Sequence, residues 1–128
     1  MSAKSTESLV ASILQRWSET HNPAAGTTAI ASHAAAANYR HTLDILVASQ
    51  FNQAAAAFTA TLTIRDASIA GAILAQLNFV TAAAGIDRFN QRVAIPGLVA
   101  NAINAAWEPP GTSITQKVAI SGYSEVNN

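Results

Sequence analysis

The sequence predicts an all-β fold: an antiparallel, jelly-roll-like β-sandwich of six to seven strands, preceded by a short N-terminal helical arm. Three observations carry this expectation. From about residue 28 onward, apolar and polar residues alternate, the period of two that turns one face of a strand inward. Turn-forming residues interrupt that alternation roughly every dozen positions, the spacing of a sandwich. Before residue 28 the apolar residues recur instead at helical spacing. The expected division is an arm and joint over residues 1–27 and a sandwich over 28–128.

In the arm, Thr6 is placed to cap a helix, Glu7 suits its positive first turn, and Leu9, Val10, Ile13, Leu14 and Trp17 form the apolar stripe. His21-Asn22-Pro23 ends it, because a residue before proline is pushed out of helical angles. So short a helix is marginal alone, so its stripe needs a partner, in this chain or another. Trp17 is expected to dock there, since tryptophan is enriched at interface anchors. Pro23 to Thr28 reads as a joint.

The strands follow in order. Tyr39, His41, Leu43, Ile45, Val47, Ser49 and Phe51 alternate with Arg40, Thr42, Asp44, Leu46, Ala48 and Gln50. Phe58, Ala60, Leu62 and Ile64 point inward against Thr59, Thr61, Thr63 and Arg65, and threonine suits the solvent side of a strand. Asp66-Ala67-Ser68 is the next turn. Ile73, Leu77 and Phe79 mark a strand that ends at Ala84-Gly85, although residues 66–84 also have a helix-compatible composition. Phe89, Gln91, Val93 and Ile95 lead to a turn at Pro96-Gly97. Val99, Ile103 and Trp107 carry the next element, with Trp107 in the core, and Pro109-Pro110-Gly111 stops it. Ile114, Val118 and Ile120 form the last strand, running into Gly122-Tyr123. The alanine runs at 34–37 and 54–57 favour helix by propensity but read here as crowded strand or loop.

The chain has 128 residues, 29 of them alanine, with seven basic and seven acidic side chains and 11% charge. That length fits one domain, and the low charge with many aliphatic residues argues against disorder. Balanced charge gives no footprint for nucleic acid or an anionic membrane. There is no apolar run of membrane-spanning length and no secretory leader pattern. Without cysteine there is no disulfide, thiolate nucleophile or thiolate metal site. So neutral a surface points to life within an assembly, because charge is what keeps small domains apart.

Catalytic patterns are missing, and no enzyme activity or cofactor is expected. His33 and His41 would approach each other if their strands paired, but without a third ligand they make a poor metal site. Glu7, Glu19, Asp44, Asp66, Asp87, Glu108 and Glu125 fall mostly at turns or element ends. The six glycines are scattered singly, so no phosphate-binding loop exists. Arg88 and Arg92 lie four apart on one strand face, opposite in sense to Phe89, Val93 and Ile95. They fit either bidentate binding of a neighbour's carboxylate or a solvated face.

The stretch from Ala57 to Asp66, AFTATLTIRD, resembles the threonine-rich strand of small β-sandwich virion structural proteins of tailed bacteriophages. Three further stretches are similar to segments of those proteins in the same order: Tyr39 to Phe51, Arg88-Phe89 to Ile95-Pro96-Gly97, and Val118-Ala119-Ile120-Ser121-Gly122-Tyr123. The resemblance spans about residues 29–124 and rests on order and spacing. The chain departs from it at Ala67, where the pattern favours glycine, and in its arm. The resemblance implies a capsid decoration, or cement, protein made in the host cytoplasm and carried on the virion. Its partner would be the major capsid protein or another virion protein, and it would itself form an oligomer, a trimer being favoured. Two other readings stay open. One is a carbohydrate- or receptor-binding module of a fibre or tail, using Tyr39, Tyr123 and Trp107. The other is a neck or tail adaptor.

Overall fold

The computed structural model describes residues 14–67 and 71–126. Among these, eight strands form: β1 (Leu14–His21), β2 (Ile30–His33), β3 (Tyr39–Asn52), β4 (Phe58–Asp66), β5 (Ile73–Thr81), β6 (Ile86–Val99), β7 (Ile103–Glu108) and β8 (Ile114–Val126). They make two four-stranded antiparallel sheets, ordered β1-β8-β3-β6 and β2-β7-β4-β5. Successive strands from β1 to β4 alternate so that the chain winds between the sheets as two interlocked Greek keys, the jelly-roll order.

The strand count exceeds the expectation because of β1. The residues from Leu14 to His21 are not helical; they pair with β8 over eight consecutive rungs, from Leu14 opposite Glu125 to His21 opposite Val118. From Arg16 to Thr20 the burial alternates, with Trp17 and Glu19 turned inward and Arg16, Ser18 and Thr20 outward. The exposed edge of β8 offers this segment a full row of backbone partners, which outweighs a weak helical periodicity. Leu9, Val10 and Ile13 of the expected arm lie outside the described residues.

One other boundary differs from expectation. Pro96-Gly97 is not a turn: β6 runs through it to Val99, and the chain reverses at Ala100, whose φ is 63°. Proline is tolerated because β6 is an edge strand, so the missing N–H faces away from its neighbour β3. Both alanine runs are loops, between β2 and β3 and between β3 and β4. Ala67 takes a φ of 64° at the turn after β4, a left-handed conformation that glycine adopts more readily.

The core between the sheets holds Leu43, Leu46, Leu62, Ile64, Ile103, Val118 and Ile120, all nearly inaccessible, around a fully buried Trp107. Trp107 was expected in the core, and its Nε1–H donates to the Lys117 carbonyl at 3.0 Å, which removes the cost of burying the indole nitrogen. Phe79 packs tilted against it, and Phe89 meets Phe79 edge-on.

Polar clusters close the two ends of the sandwich. At the C-terminal end of β3, Gln116 Nε2 donates to Gln50 Oε1, Gln50 Nε2 to Thr81 Oγ1, and Thr81 Oγ1 to Asp87 Oδ2, at 3.0, 2.9 and 2.8 Å. At the opposite end stand Trp17, His33 and His41.

Candidate functional site

Strand alternation decides what each sheet shows to solvent. On the outer face of β1-β8-β3-β6, successive rungs across β8, β3 and β6 read Thr115-Phe51-Ile86, Lys117-Ser49-Arg88, Ala119-Val47-Asn90 and Ser121-Ile45-Arg92. Opposite Ala119 and Ser121, β1 contributes Thr20 and Ser18. The middle of this face is therefore apolar, and Ile45, Val47, Phe51 and Ile86 all remain 36–47% exposed. Small residues on β8 leave a trough between β1 and β3. It holds two hollows, one of ≈ 450 Å³ lined by Arg16, Trp17, Ser18, Asp44, Ile45, Ser121 and Gly122, and one of ≈ 250 Å³ over Thr20, Val47, Lys117 and Ala119.

The larger hollow owes its shape to a β-bulge. Leu43 pairs with Gly122 and Ile45 with Ser121, so Asp44 is an extra residue on β3. A bulge re-aims the side chain it inserts. Here it directs Asp44 at Arg92, whose Nε donates to Oδ1 at 2.8 Å and whose Nη2 donates to Oδ2 at 3.4 Å. These hydrogen bonds, partly opposed by burial and aided by the charges of Arg92 and Arg16, hold the Asp44 carboxyl below its usual pKa. The same contact raises that of Arg92.

Arg88 and Arg92 share the outer face and are exposed, opposite in sense to Phe89, Val93 and Ile95, which pack on the core. They are not equivalent, because Arg92 carries an internal partner while Arg88 makes no ion pair among the described residues. Arg88 is instead matched by Lys117, since both flank Ser49 on one rung. The sequence analysis missed Lys117 and Arg16, although the alternation Lys117-Ala119-Ser121 against Val118-Ile120 already placed Lys117 outward.

The other sheet differs. Its outer face carries Thr59, Thr61, Thr63 and Arg65 on β4, as the alternation predicted, beside Gln76, Asn78 and Val80 on β5. Among the described residues its ion pair is internal: Arg65 Nη1 donates to Glu108 Oε1 at 3.4 Å. Arg65 reaches along the sheet past the Thr63–Ala106 rung to do so, and both of those residues are buried.

His33 and His41 do meet, with ring centroids 4.5 Å apart, but across the sandwich, since β2 and β3 lie in different sheets. Trp17 stacks on His33 at 4.4 Å. Trp17 thus stacks within its own sandwich, on a strand and not on a helical arm, while it also lines the larger hollow of the outer face. His33 Nδ1–H donates to Glu19 Oε2 at 2.8 Å. His41 Nε2–H donates to the Ala34 carbonyl at 2.8 Å, which leaves Nδ1 of the neutral ring to accept from Ser124 Oγ–H at 2.5 Å. Burial pushes the His41 pKa below its usual value; the Ala34 bond opposes this and the nearby His33 adds to it. Among the described residues, no three His, Asp or Glu side chains converge as metal ligands.

The carboxylates are mostly engaged inside the fold: Glu19 with His33, Asp44 with Arg92, Asp66 with Asn101 Nδ2, Asp87 with Thr81 and Glu108 with Arg65. Trp107 is fully buried, which removes it from the aromatic residues able to stack on a sugar.

No protein-family model matches the chain, and no curated protein matches it. Among solved structures, the chain is similar to a subunit described under "Bacillus endospore appendages form a novel family of disulfide-linked pili". Identity is 12% over 91% of this chain and 88% of that one, with a TM-score of 0.38. It is also similar to the carbohydrate-binding module CBM36 in complex with calcium and xylotriose, at 18% identity over 80% and 74% of the two chains and a TM-score of 0.34. A third is the family 11 carbohydrate-binding module from Clostridium thermocellum, at 10% identity over 89% and 88% and a TM-score of 0.29.

Proposed function

We propose that this chain is a structural, partner-binding β-sandwich that attaches to a repeating protein lattice, as a capsid decoration protein of a tailed phage does. The observation that carries the reading is the outer face of β1-β8-β3-β6. It is the sheet face that combines exposed Ile45, Val47, Phe51 and Ile86 with a trough and with arginine and lysine at its rim. A face of this kind suits burial against another protein, because apolar centres with polar rims are how protein interfaces are built. The engaged carboxylates and the order of motifs shared with small virion proteins support the same reading.

In this reading the major capsid protein, or another virion protein, supplies the lattice, and the chain resides on the capsid surface. Leu9, Val10 and Ile13, from the N-terminal stretch expected to bind a partner, are proposed to bind a neighbouring virion subunit. Assembly of this chain into trimers would strengthen attachment, since each further contact becomes effectively intramolecular. The test is co-sedimentation of purified protein with phage particles lacking it, followed by negative-stain imaging. Saturable decoration at regular lattice positions is expected. Absence of binding at tens of micromolar protein would overturn the proposal.

A further inference from the structure

The chain is electrically neutral, but its charge is not evenly spread. Of its seven basic residues, Arg16, Arg40, Arg88, Arg92 and Lys117 all occupy outward rungs of the sheet β1-β8-β3-β6. Among the described residues, only two carboxylates share that face: Asp44, bound to Arg92, and Glu125, on the rung of Arg40. Three basic charges are therefore in excess there, while the opposite face carries the self-paired Arg65 and Glu108.

We infer that this face recognises a carboxylate-rich, partly apolar protein surface, with Arg88, Lys117 and Arg16 as the residues that select it. The inference rests on reading the chain as a lattice-binding protein and adds the chemistry of the partner. Arg88 and Lys117 stand two strands apart, about 10 Å between their backbones from the usual strand spacing. Arg16 lies farther along the trough on β1, beyond the apolar rungs of Val47 and Ile45. A partner thus meets positive charge at both ends of the trough and aliphatic side chains between, a pattern that places two acidic positions around an apolar ridge.

The same charges argue against other occupants. A second copy docking through the same face would set like charges against each other, and the opposite sheet face offers no excess of carboxylate to attract it. A nucleic acid would gain from three or four phosphate contacts, but the centre of the face offers it Ile45, Val47 and Ala119 in place of stacking aromatics. Asp44 acts here as a positioning residue: it accepts both hydrogen bonds from Arg92 and so holds that guanidinium against β3.

The inference is tested with the full-length chain and three immobilised probes: a random glutamate–tyrosine copolymer, polyglutamate and heparin. Binding is measured at about 50 and 200 mM salt. The triple variant Arg16→Glu, Arg88→Glu, Lys117→Glu changes only exposed side chains, and Thr59→Glu with Asn78→Glu on the other sheet is the control. The wild type should prefer the copolymer, the triple variant should lose at least tenfold, and the control should stay within twofold. Two results would overturn the inference: equal binding by the triple variant, or heparin bound more tightly than the copolymer through the same residues. Particle co-sedimentation of the same proteins separates this claim from the broader one. If the triple variant still decorates particles, the face is wrong and the lattice reading stands. If the copolymer is bound as expected but particles are not, the face stands and the virion reading falls.

Discussion

Replacing Gly122 by alanine tests the geometry of the trough from beneath. Gly122 sits on β8 between Trp17 on β1 and Leu43 on β3. A methyl group there would overlap the Thr42 carbonyl oxygen and would stand 2.7 Å from Trp17 Cζ2 and 3.0 Å from the Thr42 carbonyl carbon. The indole edge could swing aside only by breaking its stack on His33. Thr42 cannot retreat, because β3 is paired on both sides, with β6 and with β8. Overpacking of this kind costs typically 1–3 kcal/mol, and a clash with fixed backbone puts this site at the upper end, about 3 kcal/mol. At roughly 2.1 cal/mol/K of unfolding entropy per residue, a chain of this length should melt about 10 °C lower. Thermal unfolding followed by far-UV circular dichroism measures the shift. Adding Trp17→Phe should recover only a small part of it, since the smaller ring relieves one contact and leaves the backbone overlap. If Gly122→Ala melts within about 2 °C of the wild type, the close approach of β8 to β3 at the bulge is wrong, and with it the shape of the larger hollow.

Acid should weaken the fold through His41. Its pKa is lowered in the native state, so the unfolded chain binds the proton first and stability falls as the pH drops from about 6.5 through the lowered native value. Denaturant titrations between pH 7.5 and 5 should show that decline, and His41→Gln should flatten it; an unchanged slope in the variant refutes the assignment. Asp44 acts in a lower window. Its stabilising contribution is present above the unfolded carboxylate pKa and is lost as the pH falls through the depressed native one. Asp44→Asn should therefore remove part of the acid sensitivity below about pH 4 and modestly lower the melting temperature at neutral pH, where the ionised Asp44 contributes. Deleting residues 1–13 should leave the sandwich folded but weaken decoration of particles. Deleting 1–22 should also strip β1 and its eight rungs from β8, giving aggregation read by light scattering. A 1–22 deletion that stays monomeric and folded would show that β1 is dispensable.

The alternation along Leu46 to Asn52 and Phe58 to Leu62 revealed β3 and β4, because there each strand has one buried and one more exposed side; around the Asp44 bulge and at Thr63 both sides are buried. β1 escaped detection for two reasons. Leu14 and Trp17 are three apart, as on a helix, and an edge strand gains its structure from a partner about a hundred residues away. The reversal at Ala100 was hidden because alanine occupies a left-handed position that glycine would have advertised, and Pro96-Gly97 offered a stronger signal nearby. At the site, the shared outward sense of Arg88 and Arg92 was readable from spacing alone. The hydrogen bonds between Arg92 and Asp44 were not, because they depend on a bulge, and a bulge is a property of pairing.

Net charge is silent on placement for the same reason: a zero sum ignores how the two signs are used. Glu19, Asp66, Asp87 and Glu108 are engaged at the ends of the sandwich or on the far sheet, by His33, Asn101, Thr81 and Arg65. Five of the seven cations are left on one sheet. Engaging carboxylates internally while leaving cations outward lets a neutral protein present a basic face. Because the far field of such a molecule is weak, the charges act only once the surfaces are within a Debye length, about 8–10 Å at ordinary salt. They therefore govern which surface is kept, and at what orientation, more than how fast the chain arrives. That division of labour is what the proposed attachment to a repeating surface would require.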